Sequence, residues 1–285
     1  MSRNLKFLIF LFISLTLTLG CVISTESKKE KSLSIHQIGL KIDVLNYKPV
    51  IVIPTNEMGI NLKLKVRSEG VEPSKVIICI AGTPYGFTGK RCVEKIILPK
   101  YDYFFTIPQD GQIILRRPVS KTEADIRLKA CYNFTTLVNF ELCIGKDCTS
   151  YVKYNYNKTK VFPIDVTSIS LGAISEEGNY DIYYITVSLK KNVKGFLIKD
   201  LEKCAREMYY PKEGKVRVEV LTRTKKIITH CEDVSLLTEG ETSCIIKVPK
   251  EYEDVHFWIP MQIKLSYNLL EILKVPVTIV PLKSE

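Results

Sequence analysis

The chain has 285 residues and a formal net charge of +10 at neutral pH, with 41 Lys and Arg against 31 Asp and Glu. That length accommodates one large or two ordinary domains with an ample apolar core. The cations are scattered among acids with no basic run, which excludes the footprint of a nucleic-acid binder.

Residues 1–20 hold two cations, Arg3 and Lys6, ahead of an uncharged apolar run over 7–19 that ends at Gly20 and Cys21. This is the layout of an export signal. The run is shorter than the roughly 20 apolar residues that a membrane-crossing helix requires. Cys21, first after the expected cleavage point, stands where a lipoprotein signal places the thiol that takes a diacylglycerol. Thr18-x-Gly20 also satisfies the small-x-small rule of ordinary signal removal, and without cleavage the run extends through Val22 and Ile23 as an N-terminal apolar anchor helix. The expectation is therefore a signal peptide over 1–20 and lipid attachment at Cys21, with an uncleaved anchor or a freely secreted chain as alternatives. Without residues 1–20, 39 cations face 31 acids, a balance of +8 that suits a solvated surface with Lys on outward strand faces. Residues 24–32 carry no apolar side chain and read as part of a flexible tether over 21–33.

From residue 34 onward, short alternating or apolar runs are separated by turn residues, the pattern of an antiparallel all-β chain. Strands are expected at 37–45, 49–53, 60–66, 75–80, 93–98, 112–116, 125–132, 138–144 and 151–156. The runs 128–134 and 138–144 read as a hairpin. Near residue 161 the pattern restarts, with strands at 167–174 and 180–189 echoing the opening pair. The expected organisation is two immunoglobulin-like β-sandwich modules, at 34–160 and 161–285, with a barrel as the alternative closure of such strands. A short amphipathic crossover helix is expected in the second, over 197–208, where Leu197, Ile198, Leu201, Cys204, Ala205 and Met208 fall at helical spacing before Pro211. Further strands follow at 216–221, 226–229, 244–248, 260–267 and 272–280.

Export to an oxidising compartment makes disulfides the default for the eight cysteines after Cys21. Cys79 with Cys92 closes a Gly-rich loop, Cys143 with Cys148 a short turn, and Cys231 with Cys244 a hairpin loop. Cys131 and Cys204 are left over and are expected as buried thiols. Two other outcomes stay open. Cys131 pairs with Cys143 across the hairpin and releases Cys148, or it bonds Cys204 and locks the modules together.

No catalytic, cofactor-binding or metal-ligating set is expected. The stretch from Gly82 to Lys90 lacks the first Gly and the final Ser or Thr of a phosphate loop, since Pro84 and Arg91 hold those positions. His36, His230 and His256 show no zinc spacing. His230-Cys231-Glu232-Asp233 is the densest ligand-like run, but neighbouring strand residues point to opposite faces. Asn133 and Asn157 lie in glycosylation sequons, Asn157 in the more polar setting.

The Gly20-Cys21 signal, the Cys-rich β-modules and the stretch from Ala130-Cys131-Tyr132-Asn133 to Cys143 resemble uncharacterised archaeal surface lipoproteins with immunoglobulin-like sandwiches. That resemblance implies an address and a fold, and no activity. The functional expectation is a non-enzymatic structural or partner-binding protein, lipid-anchored on the extracytoplasmic face of the cell membrane. Its partners would be the membrane and an envelope protein or polymer, with no nucleic acid. A solute-binding lipoprotein of a transporter and a secreted carbohydrate-active enzyme are the competing classes.

Overall fold

A computed structural model of the chain describes residues 32–36, 38–83, 86–145, 148, 150–155, 161–205, 214–252 and 256–282. The expected signal over 1–20, its apolar helix, Cys21 and most of the tether lie outside these residues. In chain order the first strands are β1 (Leu33–His36), β2 (Leu40–Val44), β3 (Val50–Ile53), β4 (Glu57–Ile60), β5 (Leu62–Ser68), β6 (Ser74–Gly82), β7 (Cys92–Ile97), β8 (Tyr103–Ile107) and β9 (Ile113–Arg116). Then come β10 (Thr122–Ile144), β11 (Val152–Lys153), β12 (Ile164–Glu177), β13 (Tyr180–Lys191), β14 (Phe196–Leu197), β15 (Arg217–Thr222), β16 (Ile228–Cys231), β17 (Glu239–Pro249) and β18 (Phe257–Pro281). The protein is all-β. Every pairing between these strands is antiparallel except β3 with β18.

Two strands of unusual length form the spine. β10 has 23 residues and β18 has 25, and they pair in unbroken register from Thr122 opposite Ile279 to Ile144 opposite Phe257. At 3.2–3.4 Å per residue this ladder runs roughly 70–75 Å. The expected hairpin of 128–134 with 138–144 is thus corrected to one continuous strand. Residues 135–137, Thr-Thr-Leu, offer no Gly, Pro or Asn on which to turn, and β-branched Thr favours the extended backbone. The expected break between 260–267 and 272–280 is likewise absent, because 268–271 contain neither Gly nor Pro.

Alternation along the spine sends one set of side chains inward. Ile126, Leu128, Ala130, Tyr132 and Phe134 of β10, with Leu273, Val275, Val277 and Ile279 of β18, share a core with Leu40, Ile42, Leu64 and Val66 of the sheet β1-β2-β5-β8. Further along the same face, Phe140, Leu142, Ile144, Ile259, Met261 and Ile263 share that core with Ile185, Val187, Ile246 and Val248 of the sheet β12-β13-β17-β16. Two covering sheets thus face one long sheet, an arrangement consistent with β-sandwiches. Each fully buried Leu or Ile contributes about 1.5–3 kcal/mol.

Connectivity differs from a simple tandem. The chain builds the first lobe through β9, leaves along β10, builds the second lobe, and returns along β18 to complete the first. The expected boundary at 160/161 therefore does not separate the two lobes: strands from either side of it pair along the whole spine, and residues 32–285 form one compact unit. The second lobe is an insertion into the first.

An aromatic layer marks the waist between the lobes. The Phe134 ring lies 5.9 Å from that of Tyr267 and 6.5 Å from that of Phe162. The Tyr267 hydroxyl accepts from Ile164 N at 3.2 Å and pairs with Thr136 Oγ1 at 3.0 Å. Gly39, at φ +79°, lets the turn before β2 pass against this layer, since a Cβ there would sit 2.3 Å from Pro163 Cγ. Below it, buried Asp165 accepts from Phe162 N at 3.0 Å and Asn192 Nδ2 at 2.8 Å. Burial still pushes its carboxyl above the ordinary range.

The expected helix over 197–208 is also corrected. Among the described residues there is no α-helix; Leu197 pairs with Leu269 in β14, and a single 3₁₀ turn follows at Glu202–Ala205. Residues 206–213 lie outside the description. The apolar stripe that suggested a helix is spent differently. Ile198, Leu201 and Cys204 pack onto the outer face of the long sheet, and Ile198 N donates to Asn268 O, which commits the backbone to the sheet edge.

Candidate functional site

The outer face of the spine carries most of the chemistry that sequence analysis singled out. β6 is apolar without alternation, and Ile77, Ile78, Cys79 and Ile80 are all buried because both its faces are covered. On the outer side Ile77, Cys79, Cys131 and Leu270 make a second small core under Ile198, Leu201 and Cys204. Residues 196–205 act as a strap across it.

Among the described residues there are four disulfides. Cys79–Cys92 joins registered neighbours of β6 and β7, and Cys231–Cys244 joins registered neighbours of β16 and β17. Cys143–Cys148 links the end of β10 to a residue five positions on. Cys131 and Cys204, expected as thiols, are bonded to each other, which pins the strap to the spine. Cys143 cannot reach Cys131, because the two lie on one strand rather than across a hairpin.

Ion pairs reinforce the strap. Lys75 Nζ contacts Glu94 at 2.8 Å and also Glu202 of the 3₁₀ turn, and these carboxylates, Glu202 first, hold its ammonium pKa above the usual value. Further along, Lys264 Nζ lies 2.6 Å from Glu72, whose other oxygen accepts from Thr135 Oγ1 at 2.9 Å. The Lys264 ammonium holds the Glu72 carboxyl below its ordinary range. Lys129 is buried on this face, and desolvation, aided by the charge of Arg91, depresses its pKa. On the inner side, burial and the Glu271 carboxylate raise the Tyr132 phenol well above its normal pKa.

Of the sequons, Asn133 sits half-buried in the middle of the outer face, where its Oδ1 accepts from Lys75 N. Asn157 lies outside the described residues. His230, Glu232 and Asp233 are exposed along an open groove with Lys215 and Arg217. At the first-lobe end, an apolar cavity of about 240 Å³ lies among Tyr47, Ile51, Met58, Ile60, Leu62 and Val275. On its polar rim, Asn46 bridges Asn61 O and Lys63 N, and the Tyr47 hydroxyl donates to Pro276 O.

At the opposite end of the spine, Cys143 in the next-to-last pair of the ladder meets Cys148 and His256 from beyond it, with their donor atoms all within 4.8 Å of one another. Beside them Lys153 Nζ lies 3.7 Å from the ring centroid of Trp258, the only tryptophan. Sequence analysis did not group these residues, since more than a hundred positions separate Cys148 from His256. Only the antiparallel return of β18 brings them together.

No protein-family model matches the chain, and no curated protein matches it either.

Proposed function

We propose that the chain is an extracytoplasmic protein tethered to the cell membrane, through a lipid on Cys21 or the apolar N-terminal segment. On this reading it is a non-enzymatic structural or partner-binding element of the cell surface, built as two immunoglobulin-like β-sandwiches on one shared ladder. The observation that carries the reading is the pairing of all eight cysteines after Cys21 into four disulfides. Such cross-linking suits an oxidising compartment and is rare where thiols are kept reduced. The continuous spine supports a role that needs a stiff body, and the resemblance to archaeal surface lipoproteins supplies the address. The all-β architecture counts against the two α/β lobes usual for a transporter's solute-binding lipoprotein.

Fractionation with intact-mass analysis is the test. The expected product stays in the membrane fraction and either begins at Cys21 with a lipid, in which case Cys21→Ser removes that lipid, or retains the apolar N-terminal segment. Recovery from the cytoplasm with free thiols would overturn the proposal. Mild crosslinking in the native membrane then identifies the envelope component held by the outer face.

A further inference from the structure

The cluster at the far end of the spine has the makings of a site that the tethered-scaffold reading does not use. Cys143 stands opposite Trp258 in the ladder, Cys148 lies beyond the strand end, and His256 immediately precedes β18. Cys143 is buried, Cys148 half-buried and His256 exposed, so the cluster meets solvent on its histidine side. We propose that Cys143, Cys148 and His256 form a redox-gated metal site, which binds a thiophilic divalent cation such as Zn²⁺ once the Cys143–Cys148 disulfide is reduced.

Geometry supports this assignment. Tetrahedral zinc, with Zn–S of about 2.3 Å and Zn–N of about 2.0–2.1 Å, requires S···N edges of about 3.6 Å and an S···S edge of about 3.8 Å. Cys143 Sγ already lies 3.9 Å from His256 Nε2. Reaching the S···S edge requires only that Cys148, which belongs to no strand, move away from Cys143. The two thiolates neutralise the charge of the cation, and the sulfur and imidazole donors select against Mg²⁺ and Ca²⁺. Three protein ligands leave a fourth position for water or another donor.

This bridge is also the one suited to opening. Cys79–Cys92 and Cys231–Cys244 tie strands of a ladder, and Cys131 and Cys204 are both fully buried. Cys143–Cys148 spans only five positions and joins β10 to a residue of no strand, so it ties no two strands of the ladder together. A dithiol is a sufficient reductant. One of its thiolates attacks a bridge sulfur to give a mixed disulfide, and its second thiol then displaces the protein. The dithiol gives up two electrons and two protons and becomes a disulfide, while Cys143 and Cys148 become thiols. Zinc binding then releases the two thiol protons, and neutral His256 coordinates through Nε2.

The test uses the full chain, oxidised or reduced with a phosphine, with Co²⁺ as the spectroscopic probe and Zn²⁺ as competitor. Trp258 reports the state of the bridge beside it, brightening when the disulfide opens. The oxidised chain is expected to show no thiolate-to-metal band. The reduced chain is expected to bind one Co²⁺ with that band and lose it to Zn²⁺. Cys143→Ser with Cys148→Ser should abolish the band, and His256→Ala, an exposed change that leaves the strands intact, should weaken binding at least about 10-fold. No band in the reduced chain would overturn the proposal. So would the same band in the double serine variant, which would assign the metal to another opened bridge, or unchanged affinity in His256→Ala.

Discussion

Each lobe carries a disulfide between registered neighbours on adjacent antiparallel strands, Cys79–Cys92 in the first and Cys231–Cys244 in the second. Both have a sequence separation of 13 and a Cα–Cα distance of 4.1 Å. They differ in the face they occupy. Cys244 points into the main core, with Cys231 packed at its margin, whereas Cys79 and Cys92 belong to the small core on the outer side of the long sheet. An inward bridge needs nothing more, because the opposite sheet already covers it. An outward bridge would leave Ile77 and Leu270 in water beside it, and the fold answers with a strap from the second lobe, fastened by Cys131–Cys204. The same local device therefore has local consequences in one lobe and long-range ones in the other.

The sharpest way to break this comparison is at the waist, which both lobes share. Phe134→Ala removes a buried ring that meets Tyr267, Phe162 and Tyr132, and should cost about 3–5 kcal/mol. Urea unfolding followed by Trp258 emission in the second lobe, and by hydrogen exchange of β2 and β5 in the first, should show both transitions moving together. A shift confined to one lobe would show that the spine does not couple them.

Next in size are the bridges themselves. Loop-closure entropy assigns about 4 kcal/mol to Cys131–Cys204 and about 3 kcal/mol to Cys231–Cys244, given separations of 73 and 13. Replacing Cys131 and Cys204 by Ala should also speed hydrogen exchange in β6 and β7. Replacing Cys231 and Cys244 should leave those amides unchanged. Equal protection in the two variants would mean that the strap does not shield the outer core.

A smaller effect is expected from Gly39→Ala, about 1–3 kcal/mol, because the position has positive φ and Pro163 stands where the methyl would go. Thermal melting measures it. A neutral outcome would place the turn before β2 free of the waist.

The smallest is Glu72→Gln, under about 1 kcal/mol since the pair with Lys264 is partly exposed. The Glu72 pKa is lower in the folded state than in the unfolded chain. Its contribution is therefore present above the unfolded carboxylate pKa and is lost as pH falls through the folded value. Wild type and variant should differ near neutrality and converge in acid, and a gap that widens in acid would contradict the ion pair.

Strand character was legible because period-two alternation reports one wet face and one dry one, as in Leu62 to Val66. Runs apolar on both faces were harder to place, and these form the middle of the spine: Ala130, Cys131 and Tyr132 lose the alternation and look like a strand ending. The strap misled for a related reason. A helical stripe in 197–208 records which side chains are buried, and a segment lying flat on a sheet satisfies it without a helix. The three short-range disulfides could be ranked from spacing, since short separations allow few geometries. The Cys131–Cys204 bond and the Cys143, Cys148 and His256 cluster depend on the insertion of one lobe into the other, and alternation in a single sequence carries no mark of that topology.

The unbroken register of β10 and β18 also determines how the molecule carries a mechanical load. A pull between the first lobe and the tip of the second acts parallel to both strands, and since each strand runs through both lobes the load falls on two continuous backbones side by side instead of opening their pairs one after another like a zipper. Sliding offers no easy release, because a slip of one residue would turn Ile126, Leu128 and Phe140 outward and drive Arg127, Lys129 and Glu141 into the core. The ladder therefore behaves as a tension member whose creep is blocked by the alternation of its own side chains.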